Sequence, residues 1–306
     1  YNTLSYTLSE NLLESSIIFT QISEPMDISS PQIIELEGSE LNKGSFNDII
    51  LKNGPKLING AMYNIAMTGV DPAGNESNQI SLANVTFDNE SPKISISQPL
   101  DSEQIKSTII SFISSENLLN ADVIYRQTSG TADINSPHRI PINSSNLSSG
   151  FHSDIDLGFA SQLADGGRYE VSIEAYDKAG NEATVSPIND VFFDILPPKL
   201  TLSAPISLSL INSAIVSYST SESMKKSNIV FLRVKGNEDP NSPHTIDLTG
   251  QRLEIGDHFS EVFDQSIQLK DGSIYNIELT GEDFAGNIAN KVSIENITFD
   301  ISSPLM

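Results

Sequence analysis

The sequence predicts an all-β protein built as a tandem row of β-sandwich modules, and three observations carry that expectation. Landmarks recur at one fixed spacing, apolar residues alternate with polar ones in short runs, and no useful stretch keeps a helical period. The motif Asp-x-Ala-Gly-Asn starts at Asp71, Asp177 and Asp283, so successive copies are 106 residues apart. Tyr63, Tyr169 and Tyr275 keep that register, as do the Ser-Pro steps at Pro31, Pro137 and Pro243, the Phe-Asp pairs at Asp88, Asp194 and Asp300, and Pro92, Pro198 and Pro304. The expected domains are 1–91, 92–197 and 198–303, with 304–306 opening a further repeat. Nothing is inserted or deleted over the region all three copies share. Two readings of that stay open: recent duplication, or loops held to length by a neighbour.

Taken in chain order, the elements of a copy are as follows. A lead-in strand is read at Lys93-Ile94-Ser95-Ile96-Ser97 and at Lys199-Leu200-Thr201-Leu202-Ser203, by alternation. Copy 1 begins at Tyr1, which aligns with Ser107, so it lacks this segment and is expected to be the weakest module. Leu305 and Met306 align with Lys93 and Ile94. With no initiator Met, signal region or sorting tail, the simplest account is a window from a longer array. Next come Ile109-Ile110-Ser111-Phe112, then Val123-Ile124-Tyr125 with its counterpart Ile229-Val230-Phe231-Leu232. The plainest strand opens on each landmark tyrosine: Tyr63, Ile65, Met67; Tyr169, Val171, Ile173; Tyr275, Ile277, Leu279, all spaced by two for one buried face. The last strand, Val292-Ser293-Ile294 then Ile297-Thr298-Phe299, slips register by one and predicts a bulge.

A turn precedes each of those tyrosines: Leu57-Ile58-Asn59-Gly60, Leu163-Ala164-Asp165-Gly166 and Leu269-Lys270-Asp271-Gly272. This resembles the tyrosine corner of immunoglobulin-like sandwiches, in which the phenol pins the E–F connection to upstream backbone. The tyrosine strand is then F, Asp-x-Ala-Gly-Asn is the F–G hairpin, and the strand ending in Phe-Asp is G. The whole pattern, with Ser-Glu-Asn-Leu-Leu at 9–13 and 115–119 and Ser-Pro-His at 136–138 and 242–244, resembles the bacterial Ig-like tandem repeats of large extracellular, adhesin-type surface proteins. Copy 1 departs from it at Gln32, where the others carry His138 and His244. The resemblance covers essentially the whole chain. It implies a stalk or spacer at the cell surface or outside the cell.

Composition narrows the function. Forty acidic residues against 17 basic ones give a net charge of −23, which repels phosphate backbones and anionic membranes and argues against nucleic-acid binding. No apolar run approaches a membrane span, so membrane insertion is not expected. The absence of Cys excludes disulfides and thiolate metal sites.

Topology then gathers carboxylates. The B–C loop, the F–G hairpin and the arriving linker share one pole of such a sandwich. Asp88 is thus expected near Glu116 and Asp177, and Asp194 near Glu222 and Asp283. Calcium takes oxygen ligands in flexible geometry, so one reading is Ca2+ at each junction, stiffening the array; some adhesin repeats of the resembling kind bind calcium in this way. The other reading is structural: each Asp caps its own turn, Gly supplies a positive φ, and the glutamates cap the B–C loop. Under both readings the Gly and Asn of the motif serve the hairpin. Asp27, Asp133 and Asp239, three residues before the Ser-Pro steps, read as turn initiators at the other pole.

Enzyme signatures are missing from the sequence: there is no nucleophile elbow, phosphate loop or Cys nucleophile, and the four histidines, His138, His152, His244 and His258, lack a metal-ligand spacing. The sequons at Asn75, Asn84, Asn89, Asn143, Asn146 and Asn296 matter only in a glycosylating host. Three functions remain: a structural stalk whose partners are its neighbouring repeats, an array of modules binding a carbohydrate or protein, or a filament subunit self-associating head-to-tail or laterally through exposed strand edges. Scarce aromatics favour the stalk; Phe151 and Phe159 are the exceptions, since the other copies have Ser45 and Asp257, then Asn53 and Gln265, at those places.

Overall fold

The computed structural model describes residues 3–50, 54–263, 265 and 267–303. Tyr1, Asn53, Pro304 and Leu305-Met306 lie outside these residues, and so does the expected start of a further repeat. The chain forms two compact units, Tyr1–Pro92 with Tyr176–Ala183, and Lys93–Ala175 with Thr184–Met306.

Repeat 1 contributes β1 (Thr3–Leu8), β2 (Glu14–Gln21), β3 (Gln32–Glu35), β4 (Gly44–Ile50), β5 (Met62–Val70) and β6 (Ile80–Thr86). Repeat 2 contributes β7 (Lys93–Gln98), β8 (Gln104–Ile105), β9 (Ile109–Ser114), β10 (Leu118–Gly130), β11 (His138–Pro141), β12 (Gly150–Asp156), β13 (Gly167–Asp177), β14 (Thr184–Val185) and β15 (Ile188–Phe193). Repeat 3 contributes β16 (Leu200–Ala204), β17 (Leu210–Ile211), β18 (Ile215–Thr220), β19 (Lys226–Gly236), β20 (His244–Asp247), β21 (Gly256–Val262), β22 (Ser273–Glu282) and β23 (Val292–Phe299). The fold is all-β, in tandem immunoglobulin-like sandwiches.

Each repeat pairs two sheets. In repeat 3 these are β16-β18-β21 and β17-β23-β22-β19-β20; in repeat 2, β12-β9-β7-β14 and β11-β10-β13-β15-β8. Repeat 1 has β3-β2-β5-β6 and, among the described residues, β1-β4 on the other side. The tyrosine strand and the last strand of each repeat pair antiparallel, as F and G should. Alternation along β22 sends Tyr275, Ile277 and Leu279 inward, each 0% exposed. Eighteen apolar side chains form the buried core of repeat 3 and seven that of repeat 1, among the described residues.

The bulge expected between Ile294 and Ile297 is present: Ile277 faces Ile294 while Tyr275 faces Ile297. It recurs in all three repeats, with Asn84, Asp190 and Asn296 at φ of 57–58°. A second recurrent bulge, which the sequence pattern did not suggest, sits between β1 and β4 and in the equivalent pairs. There Asp48, Asp154 and Ser260 adopt φ of 52–55°, and each backbone N–H donates to a serine of the neighbouring strand, Ser5, Ser111 or Ser217, at 2.9 Å.

The tyrosine corner is also present, with an added partner. Backbone N–H groups five residues upstream donate to the phenol oxygen: Ile58 to Tyr63 at 3.0 Å, Ala164 to Tyr169 at 2.8 Å, Lys270 to Tyr275 at 2.8 Å. Each phenol in turn donates to a buried carboxylate, Asp27 at 3.0 Å, Asp133 at 2.7 Å or Asp239 at 2.5 Å. These aspartates do start turns, since Ser29, Asn135 and Asn241 donate backbone N–H to them. They also take a third donor at 2.6 Å, the Nε2 of His138, of His244 or, in repeat 1, of Gln32. Burial pushes the three carboxyls up, but the donated hydrogen bonds outweigh it and hold each below its ordinary value. Because Gln32 does for Asp27 what His138 does for Asp133, His138→Gln is expected to keep stability within about 1 kcal/mol of the parent. Tyr169→Phe strips a donor from a buried carboxylate and is expected to cost about 1–3 kcal/mol. Urea unfolding followed by circular dichroism measures both.

Candidate functional site

The site sits at the end of the F strand away from the tyrosine corner, and the second unit contains a complete example. β22 ends at Glu282, and the next residues make the tight turn. The Asp283 backbone N–H donates to the Asn287 carbonyl at 3.1 Å, the Asn287 N–H returns to the Asp283 carboxylate at 2.7 Å, and Gly286 takes φ 87°. The turn role of the aspartate is thus real, and the same bonds recur at Asp71 and Asp177.

The Asn does more than serve the hairpin, which corrects the sequence expectation. Asn287 Nδ2 donates to Asp283 at 2.9 Å and also, at 2.9 Å, to the backbone carbonyl of Asp194, in the linker that leaves repeat 2. In the other unit Asn181 makes the equivalent bond to the Asp88 carbonyl at 3.3 Å. No spacing rule flags this contact, because it joins residues 93 positions apart.

Asp194, Glu222 and Asp283 come together: one oxygen of each lies within 4.8 Å of the others. Asp194 is 8% exposed and Asp283 0%, with Glu222 half-buried. Thr220 fixes the glutamate by donating its hydroxyl to the Glu222 carbonyl at 2.7 Å. A fourth carboxylate, overlooked in the sequence, belongs to the corner turn: Asp165 accepts the Ile195 N–H at 2.8 Å, and its charge acts on both Asp194 and Glu222. Of the remaining residues expected at junctions, Asp88 (half-buried) and Asp177 (1% exposed) belong to the first unit and Glu116 to the second. The Glu116 carbonyl accepts the Ser114 hydroxyl at 2.7 Å, matching Glu222.

Electrostatically the cluster is short of positive charge. Burial first, then the charges of Asp194 and Asp283, push Glu222 up to about 7. Burial likewise raises Asp194, with Asp283 and Asp165 adding to it. The closeness of the Glu222 and Asp194 side chains also favours a proton on Glu222. The nearby lysines serve another acid: Lys226 pairs with Glu282 at 2.7 Å, and Lys226, Lys225 and Lys106 hold Glu282 low. Lys106 also donates to the Gly286 carbonyl, tying repeat 2 to the same turn. Among the described residues no Lys, Arg or His forms an ion pair with Asp194, Glu222 or Asp283. Three hard oxygens so placed suit a hard cation.

The two sequence exceptions separate. Phe159 packs edge-on against His138, centroids 5.3 Å apart, and completes the corner. Phe151 is 64% exposed on β12, opposite Ile113, and has no part in either pole.

Fold and site together define a tandem series of immunoglobulin-like sandwich modules, with an acidic cluster where the second module leads into the third. No protein-family model matches the sequence, and no curated protein matches it. Among solved structures, the chain is similar to the FN1-FN3 domains of chicken CNTN1, at 11% identity and TM-score 0.30 over 94% of this chain and 90% of that one. It is similar to a tetra-tandem repeat in the extending region of a large adhesion protein, at 16% and 0.28 over 95% and 69%. The fibronectin(III)-like modules of Clostridium thermocellum CbhA give 14% and 0.32 over 70% and 98%. Likenesses at these scores carry no inference about ligand or role.

A folded-state value raised above the ordinary one means that the folded protein holds its proton longer than the unfolded chain. The stability Glu222 contributes is therefore complete below about 4.5 and is lost as pH rises through about 7. In chelator, the unfolding temperature of the second unit is expected to fall across that window, and Glu222→Gln is expected to flatten the fall. Thermal scans in EDTA at stepped pH check this.

Proposed function

We propose that this chain is a structural spacer: a segment of a long secreted or cell-surface repeat protein, with calcium stiffening the joints between its modules. The observation that carries the proposal is the buried Asp194–Glu222–Asp283 cluster lying where the linker of one repeat is hydrogen-bonded to the turn of the next. Ligand oxygens about 2.4 Å from one ion are at most about 4.8 Å apart, and these three oxygens meet that limit. A bound divalent cation supplies the positive charge the cluster lacks, keeps all three carboxylates ionised, and fixes the linker against the turn. Its partners are then the neighbouring repeats of the same chain. The histidines argue against chemistry at the other pole, since His138 and His244 are 7–8% exposed and spent on holding Asp133 and Asp239.

Calcium at about a hundredfold over its Kd is expected to add about 2.7 kcal/mol to the stability of the unit that binds it. Calorimetry of the wild-type chain in calcium and in chelator reads this as a higher unfolding temperature, and the double variant Glu222→Gln, Asp283→Asn is expected to show no rise in the transition of the unit that holds residues 184–303. An unchanged wild-type transition, with no calcium retained after desalting, would sink the reading.

A further inference from the structure

The three copies diverge at a few positions close to where repeat 2 meets repeat 3. Lys225, just before β19, is Leu13 in repeat 1 and Leu119 in repeat 2, and Lys226 is Glu14 and Asn120. Phe284, in the F–G turn, is Pro72 and Lys178. Lys106, just after β8, has Asn212 as its counterpart in repeat 3. The same sandwich forms around each of these sets, so its packing does not require two lysines and an aromatic ring here.

The second unit gathers them around a hollow of about 320 Å3. Repeat 2 supplies Lys106, Gln104, Asp154 and Ile109 to its lining, and repeat 3 supplies Lys225 and Phe284. A second hollow, of about 250 Å3 and confined to repeat 3, is lined by Asp247, Thr280, Ile288 and again Lys225, among others. Lys225 therefore borders both. Phe284 is 50% exposed, although its ring is large and apolar.

Three ammonium groups here share one carboxylate. Lys226 pairs with Glu282 at 2.7 Å, and the charges of Lys225 and Lys106 act on the same group. Lys106 donates to the Gly286 carbonyl, whereas Lys225 is exposed and forms no ion pair among the described residues. Asp154 is exposed and Gln104 half-buried, and among the described residues neither side chain forms a hydrogen bond. The lining thus offers cationic donors, an anionic acceptor, a carboxamide that does both, and an open aromatic face.

A sugar ring uses all four. Its hydroxyls donate and accept together, and its weakly positive C–H bonds lie against the negative face of an aromatic ring. A hollow near the lower end of the size range of ligand sites takes one such ring, and the adjoining hollow takes the next. The surplus of ammonium over carboxylate around Glu282 favours a sugar that carries a carboxylate, through charge-assisted hydrogen bonds. A dense polyanion is disfavoured, because the chain as a whole stands at −23.

We propose that the hollow between repeats 2 and 3 is a saccharide site selective for an acidic sugar. Lys225 and Lys106 take the carboxylate, Phe284 takes the face of the ring, and Gln104 and Asp154 take hydroxyls. The site goes beyond the spacer reading and does not rest on it, since it uses none of Asp194, Glu222 and Asp283.

The test titrates the 306-residue chain, freed of divalent cations, with two disaccharides and follows binding by saturation-transfer NMR. Cellobiouronic acid carries a carboxylate where cellobiose carries a hydroxymethyl group. Saturable binding of the acid is expected, tighter than that of cellobiose by about tenfold or more. Lys225→Leu installs the residue that repeats 1 and 2 carry, and is expected to abolish the preference while cellobiose still binds, which also shows that the variant is folded. Phe284→Pro, the residue of repeat 1, is expected to weaken both sugars by about threefold or more. No saturable binding, equal binding of the two sugars, or a preference that survives Lys225→Leu would each overturn the proposal. So would displacement of the acid by inorganic phosphate at equal concentration, the mark of an unselective anion patch.

Discussion

A carboxylate taken out of water has to find hydrogen-bond donors or a counter-charge, and repeat 3 meets this constraint at both ends of a single strand. At the start of β22, Asp239 receives the Tyr275 hydroxyl, the His244 ring and a backbone N–H, and its pKa falls despite burial. Just past the other end, about 26 Å away at some 3.3 Å per residue, the Asp194–Glu222–Asp283 cluster receives fewer donors and no lysine, and burial raises Asp194 and Glu222. The same chemical group, similarly buried, shifts in opposite directions. The first pole is closed on itself by its own hydrogen bonds. The second is left short of positive charge, which protons relieve at low pH and a bound cation would relieve near neutrality.

That difference bears on why the loops keep their lengths. The F–G turn holds Asn287 against the Asp194 carbonyl, so adding or removing a residue there would cost the bond between one repeat and the next. The turn is therefore held to length by its neighbour. The corner turn is held from inside its own module, by the tyrosine hydroxyl, which reaches a backbone N–H five residues upstream in every copy. Both poles are thus length-locked by contacts, which accounts for much of the constant spacing without appeal to recent duplication alone. The Ser-held bulges at Asp48, Asp154 and Ser260 extend the same logic to the other sheet.

Much of the architecture was legible because it is written in local periods and short turns. The alternation after Tyr63, Tyr169 and Tyr275, the Gly turns and the register slip before Ile297 each involve residues close in sequence. The partners of those features were not legible. The Tyr169–Asp133 and Asn287–Asp194 contacts join residues 36 and 93 positions apart, and only the closed sandwich brings them together. Asp133 thus read as a turn former, and Asn287 as hairpin filler, when each has a second bond that the fold depends on. The carboxylate cluster was reachable from topology because the poles of a sandwich follow from strand order. Asp165 was missed because it belongs to the corner turn of the preceding module, and strand order alone says nothing of how far that turn reaches.

Asp165 also separates what the fold requires from what it does not. Its oxygen accepts the Ile195 N–H at 2.8 Å, and Asp271 does the same for Ile301. In repeat 1 the position is Asn59, whose side-chain oxygen accepts the Asn89 N–H at the same 2.8 Å. An amide therefore suffices for the linker turn, and the negative charge of Asp165 adds nothing to that bond. Its effect is to raise Asp194 and Glu222 further, which costs stability in a metal-free protein near neutral pH. A charge that the hydrogen bonding does not need, set beside three carboxylates that already repel one another, is a burden if the cluster is only structural. It becomes useful if a cation occupies the cluster, since each added carboxylate then strengthens the hold on the ion. The substitution of Asn for Asp between otherwise equivalent turns thus supports the cation reading on grounds separate from the geometry of the cluster itself.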